Sequence, residues 1–238
     1  MKSHLFGQQF MEKQTDDAWT LQNERMLKVR INGEFHARQG AMVAYQGDVN
    51  FEYKGAGAKR LMKKLVTGED LQLMKVSGQG EVFLAKWAEE VHLVYLENDG
   101  ITLNGENVLA FDSSLSWDIK FNKGIAGMLG QGLTNVVLQG TGWVAVTSYG
   151  TPVVLEVGQQ QTYADPSAAI AWSSNLVTQF KKNDSGLKTL IGRGGGELFT
   201  MGFQGQGYVI VQPSEGNPAS FAAVANTNTG GGIGALLS

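Results

Sequence analysis

Apolar side chains fall at every second position along much of the chain, and they do so in a pattern written three times. Gly78-Gln79-Gly80-Glu81-Val82-Phe83-Leu84 returns as Gly140-Thr141-Gly142-Trp143-Val144-Ala145-Val146 and as Gly205-Gln206-Gly207-Tyr208-Val209-Ile210-Val211. With the second glycine of each copy as origin, a glycine lies twelve residues upstream (Gly68, Gly130, Gly195) and a leucine nine upstream (Leu71, Leu133, Leu198). The origins are 62 and 65 residues apart. A second block repeats between them. Ala44-Tyr45, Ala110-Phe111 and Ala171-Trp172 are each followed, four residues after the aromatic, by Val49, Leu115 and Leu176.

A period of two is the signature of strands, which place alternate side chains on one face of a sheet. Glycines inside such runs supply kinks or bulges, so each G-x-G reads as a bend between two strand halves that share a core face. A phosphate-cradling loop is the functional alternative. It requires a following helix, and here a β-run follows.

Other elements can be read along the chain. Leu5-Phe6 and Phe10 form a short apolar run, a first strand or an arm. Trp19 and Leu21, then Leu27, Val29 and Ile31, predict a strand pair joined through Gln22-Asn23-Glu24-Arg25. Asn32-Gly33 predicts a tight turn, and Asn98-Asp99-Gly100 a hairpin between Leu93/Tyr95 and Ile101–Leu103. A strand is expected over Val153–Val157, between Gly150-Thr151-Pro152 and Gly158. Ala58–Val66 predicts the one amphipathic helix, with Lys59, Arg60, Lys63 and Lys64 on its polar face as a candidate patch for an anionic partner. Residues 214–238, rich in Gly, Asn and Ala, read as a flexible tail behind a single three-repeat β domain over 1–213.

Composition narrows the function classes. The net charge of −3 disfavours a phosphate-binding surface, leaving no strong case for nucleic acid. The absence of cysteine removes disulfides, thiolate metal sites and a cysteine nucleophile, and fits a reducing compartment. No segment approaches the ~20 apolar residues of a spanning helix, and the N-terminus lacks a signal-peptide core. The expectation is a soluble, cytoplasmic protein.

Chemistry-bearing motifs are scarce. His4, His36 and His92 form no H-x-H or H-E-x-x-H pair, so no metal or cofactor is expected. Asp16-Asp17, Glu69-Asp70 and Glu89-Glu90 read as solvated neighbours, and in a strand adjacent side chains point to opposite faces. Neither a nucleophile elbow nor a phosphate-binding lysine loop is present. No catalytic residue is assigned, and the chain is expected not to be an enzyme. Trp143 and Tyr208 follow the G-x-G bend where Glu81 stands in the first copy, pointing away from the core face. They form a candidate subunit interface or ligand platform.

Gly40-Ala41-Met42-Val43-Ala44-Tyr45, Leu65-Val66-Thr67-Gly68-Glu69-Asp70-Leu71 and the three G-x-G copies resemble the altered-inheritance-of-mitochondria protein family, over about residues 20 to 212. The family has bacterial, archaeal and mitochondrial members; this sequence is similar to its bacterial branch. The resemblance implies a fold like that of the tryptophan RNA-binding attenuation protein: all-β, a pseudo-threefold compact double-stranded β-helix built from three repeats. It also implies a homo-oligomer. The attenuation protein's RNA-binding lysines and tryptophan pocket have no matching positions. The function expected is a non-enzymatic, self-assembling β-scaffold that binds an unknown partner protein or a membrane-linked complex. A small-ligand or nucleic-acid binding module is the alternative, and a cupin-like metal enzyme a further one.

Overall fold

The computed structural model describes residues 1–53, 71–121, 134–182 and 199–214. The expected helix at 58–66, its Lys59, Arg60, Lys63 and Lys64 face, and all of the expected tail except Ser214 lie outside the described residues.

The described chain is all-β, and its strands pair antiparallel. They are β1 (Trp19–Asn23), β2 (Met26–Arg38), β3 (Met42–Tyr53), β4 (Leu73–Leu84), β5 (Glu90–Asn104), β6 (Val108–Asp112) and β7 (Ser116–Phe121). There follow β8 (Thr134–Ser148), β9 (Val153–Val157), β10 (Thr162–Ala164), β11 (Ala169–Ser173), β12 (Val177–Lys182), β13 (Phe199–Gln204) and β14 (Gly207–Val211). One sheet runs β3-β4-β2-β6-β8-β5-β11-β14-β9, with β1 added on β2 and β7 on β8; a second runs β10-β13-β12. Among the described residues no helix is long and apolar enough to cross a membrane.

Three apolar cores lie along this path. The first gathers Leu27, Val29, Phe35, Val76 and Val82. The second gathers Leu103, Phe111, Val136, Leu138 and Val144, and the third Trp172, Met201, Phe203 and Val209. Each is built largely from the alternating positions of one copy of the repeated blocks, because alternation delivers one face of every strand to the interior.

The first two G-x-G segments are bends inside the long strands β4 and β8, and the third joins β13 to β14. Gly78, Gly140 and Gly205 take φ of 126°, 126° and 124°, values that side chains rarely adopt. The second glycine is required by crowding. A Cβ on Gly142 would lie 2.9 Å from Asp112 Cβ, and one on Gly207 would lie 2.8 Å from Ser173 Cβ. Those same side chains cap the backbone donor that the bend leaves open: Trp143 N–H donates to Asp112 Oδ2 at 3.2 Å, and Tyr208 N–H to Ser173 Oγ at 3.0 Å. In the third copy the bend carries the chain from the small sheet (β13) into the large one (β14).

The aromatic blocks also share their pairing. Tyr45 faces Val82, Phe111 faces Val144 and Trp172 faces Val209. A bulge precedes each, between Met42 and Ala44, Val108 and Ala110, and Ala169 and Ala171. The second and third copies then turn, separating β6 from β7 and β11 from β12. The first runs straight through as β3, with Gly47 at φ 95° where Ser113 and Ser174 stand in the others.

Two expected turns are not turns. Asn32-Gly33 lies within β2, where Gly33 (φ 140°) pairs directly with Gly78 and the ladder runs unbroken on either side. Asn98-Asp99-Gly100 lies within β5, which bulges between Leu96 and Asp99. There Asn98 takes φ 50°, its N–H donating to Thr141 Oγ1 at 2.9 Å. Hairpin turns and strand bulges both demand positive φ, so Asn-Gly and Asn-Asp-Gly serve either. The N-terminal apolar run forms two 3-10 turns, His4–Phe6 and Gln8–Phe10, rather than a strand.

Candidate functional site

The position just after the bend has a different fate in each copy. In the first, Glu81 lies on the outer face of β4, and Lys28 of β2 reaches the same face, only 2% exposed. The Lys28 ammonium donates to Glu12 Oε1 at 2.9 Å, to the Lys13 carbonyl at 2.6 Å and to Glu81 Oε1 at 3.3 Å. Burial pulls the Lys28 amine down, but its hydrogen bonds to Glu12 and Glu81 outweigh that and hold it above its ordinary value. The hydrogen bond from Lys28 holds Glu12 below the usual carboxylate value. The N-terminal segment therefore covers this face as a charged lid.

In the second copy Trp143 is half-buried, its ring 4.9 Å from that of Tyr95 across the β8–β5 pair. In the third, Tyr208 is 56% exposed, with Val154 of β9 exposed on the same face. The two aromatics occupy equivalent register positions but do not come together: Trp143 is packed, and Tyr208 stands open.

A second assembly was not legible in the sequence. Between β4 and β5 the chain closes a tight bend, Glu89 N–H donating to the Lys86 carbonyl at 2.8 Å, through Trp87 (φ 44°) and Ala88 (φ 58°). Consecutive non-glycine residues in this region are uncommon and store strain. The bend turns Lys86 and Glu89 inward and Trp87 outward. Lys86 Nζ lies 2.9 Å from Glu89 Oε1 and donates to the Glu106 carbonyl at 2.6 Å. Arg38 donates to the Gly105 carbonyl at 2.8 Å and to Glu106 Oε2 at 3.2 Å.

Glu89 is 2% exposed, which corrects the solvated reading of Glu89-Glu90; the left-handed bend points the first carboxylate into the protein and leaves Glu90 partly exposed. Burial lowers the Lys86 amine below its ordinary value, against the charge of Glu89. Burial, reinforced by the same carboxylate, pushes the Tyr149 phenol well above its ordinary 10. The Glu89 carboxylate acts on the Tyr149 phenol both by its charge and by hydrogen bonding. The phenol stays protonated near neutral pH and offers a hydrogen-bond donor beside the Lys86–Glu89 pair.

Of the histidines, His36 stacks on Phe111 at 5.1 Å. His92 Nε2 lies 2.7 Å from Ser148 Oγ, whose proton goes to the Gly150 carbonyl at 2.7 Å, so the imidazole donates. Among the described residues no three His, Asp or Glu side chains gather into a group able to hold a metal.

The family model described as mitochondrial biogenesis AIM24 matches residues 19–214, from the first residue of β1 to the end of the described chain. The chain belongs to the AIM24 family. No curated protein matches this AIM24-family chain. A solved crystal structure of a protein from Streptococcus pyogenes is similar, with a TM-score of 0.68 at 22% identity, covering 88% of this chain and 97% of the other. At that identity the likeness speaks to the fold of the AIM24-family chain alone.

Proposed function

We propose that this AIM24-family chain is a cytoplasmic, non-enzymatic β-scaffold that assembles with itself and presents an aromatic face to a protein partner or a membrane-linked complex. The observation that carries this reading is the Glu81/Trp143/Tyr208 series. One structural position is covered by the N-terminal segment in the first copy and packed against Tyr95 in the second. In the third it stands open opposite the exposed Glu156, with Val154 exposed on the same face of β9, the last strand of the sheet among the described residues. An exposed aromatic and an exposed aliphatic side chain beside a carboxylate make a surface suited to a protein partner. The reading includes residues 1–213 acting as one unit of three related parts, a shortened double-stranded β-helix like that of the tryptophan RNA-binding attenuation protein. The matching glycine φ values and aromatic registers support it.

Native mass spectrometry of the untagged full chain, with the denatured mass as control, tests the proposal. A multimer with no excess mass is the expected result. A monomer at every concentration refutes self-assembly. A stoichiometric extra mass on each subunit favours the second reading, a small-ligand site, for which the specific observation is the strained bend over the Lys86–Glu89–Tyr149 cluster.

A further inference from the structure

The large sheet crosses from one copy of the repeat to the next through two seams in a common register. At the first, β2 meets β6: Ala37 opposes Ala110, His36 opposes Phe111 and Phe35 opposes Asp112. At the second, β5 meets β11: Leu103 opposes Ala171, Thr102 opposes Trp172 and Ile101 opposes Ser173. In each, a strand end of one copy docks on the alanine-aromatic block of the copy that follows.

A third pair of strands carries the same two halves and leaves them apart. The strand end equivalent to Phe35–Ala37 and Ile101–Leu103 is β10. Thr162 pairs with Phe203 and Ala164 with Met201, as Phe35 pairs with Val76 and Ala37 with Met74, and as Ile101 pairs with Leu138 and Leu103 with Val136. The equivalent block is Ala44-Tyr45 of β3. Yet among the described residues β10 pairs with β13 alone, and β3 with β4 alone. Burial follows the pairing: Leu109, Ala110 and Phe111 are fully buried, and Ile170, Ala171 and Trp172 nearly so. Their counterparts Val43, Ala44 and Tyr45 are exposed, Tyr45 at 48%, and Tyr163 on the other half is 47% exposed.

We infer that a second copy of this chain completes the third seam, β10 of one copy adding to β3 of the next with Ala164 opposite Ala44, Tyr163 opposite Tyr45 and Thr162 opposite Gln46. The inference rests on the self-assembly reading and specifies its interface. The occupant is a second copy because this chain itself carries the missing strand, β10, with one edge open among the described residues, and two in-chain seams already use the register. Tyr163 and Tyr45 would then form a cross-strand aromatic pair, as His36 and Phe111 do at the first seam. Because the two halves differ, the contact is head-to-tail, which closes into a ring of two or more copies or continues as an open filament.

The absence of cysteine makes the test direct. Tyr45→Cys and Tyr163→Cys proteins are prepared separately, mixed and oxidised with diamide. Directly opposed strand residues have Cβ atoms about 4.5–5.5 Å apart, near disulfide reach. The pair Ala44→Cys with Ala164→Cys is run in parallel, because adjacent cross-strand pairs alternate between wide and close spacing. Circular dichroism and thermal melting confirm that each variant folds. The expected result is a disulfide-linked dimer from at least one mixture and none from any single variant alone. Dimers from Tyr45→Cys alone would mean symmetric edge pairing and overturn the inference. A Tyr45→Cys/Tyr163→Cys double variant that closes on itself as a monomer would assign β10 of the same chain as the occupant, and also overturns it. A native multimer without cross-links removes this seam while leaving self-assembly standing; a monomer throughout removes both.

Discussion

Replacing Gly78 or Gly140 with alanine separates two reasons for glycine at one repeated position. Both residues have φ 126°, so alanine at either meets the same backbone strain, on the order of 1–3 kcal/mol. The change in unfolded-chain entropy is common to both and cancels in the comparison. The surroundings differ. A Cβ on Gly140 meets nothing nearer than Leu115 Cδ2 at 3.5 Å, an ordinary contact. A Cβ on Gly78 would stand 2.1 Å from the Asp48 carbonyl oxygen and 3.2 Å from Val49 Cα, so β3 itself must move. Forcing a packed element aside adds about 1–3 kcal/mol. Gly78→Ala is therefore expected to destabilise by about 2–6 kcal/mol and Gly140→Ala by about 1–3 kcal/mol. For a chain of this size the gap corresponds to roughly 2–12 °C in Tm. Urea denaturation with a shared m-value, checked by calorimetry, measures it. Equal losses, or a larger loss at Gly140, would refute the claim that β3 presses on the first bend.

Further expectations concern the polar clusters and the open face. Lys86→Met leaves the Glu89 carboxylate buried without its partner and is expected to cost about 3–5 kcal/mol. Adding Glu89→Leu should recover much of that, and urea melts of the single and double variants decide it. Glu12, held below its ordinary 4.5 by the hydrogen bond from Lys28, contributes stability that is fully present above about pH 4.5. That contribution is lost as pH falls through the depressed folded value. Glu12→Gln should flatten this acid limb in a series of urea midpoints, and an unchanged slope would place the acid sensitivity elsewhere. Tyr208→Ser removes an exposed ring without opening a cavity, so Tm should move by no more than about 2 °C, equivalent to ~0.5 kcal/mol. If Tyr208 anchors a partner or a neighbouring subunit, binding or the multimer population in native mass spectra should fall, and an unchanged spectrum assigns the contact to another surface.

The strands themselves could be read from the sequence. Alternation predicted the Trp19–Ile31 pair and Val153–Val157, which are β1 with the start of β2, and β9. The G-x-G bends were equally visible, because glycine alone readily takes φ near 125° at the first position and leaves room for the capping side chain at the second. Asn32-Gly33 and Asn98-Asp99-Gly100 were misread because positive φ marks both a hairpin and a bulge, and only the partner strand tells them apart. Glu89 was misread for a related reason: two left-handed residues at Trp87 and Ala88, neither of them glycine, reverse which way its carboxylate points.

What the sequence determined by itself was local: period-two patterning, the bends, and the equivalence of Glu81, Trp143 and Tyr208. The tertiary structure decided which of those equivalent positions are covered. Lys28 is buried because Glu12 and Lys13 fold back over it, and Phe111 and Trp172 are buried because β2 and β5 arrive beside them. Tyr45 stays exposed although its sequence context is nearly the same. Burial depends on a partner strand that lies far away in the chain, and no local pattern encodes whether that strand arrives.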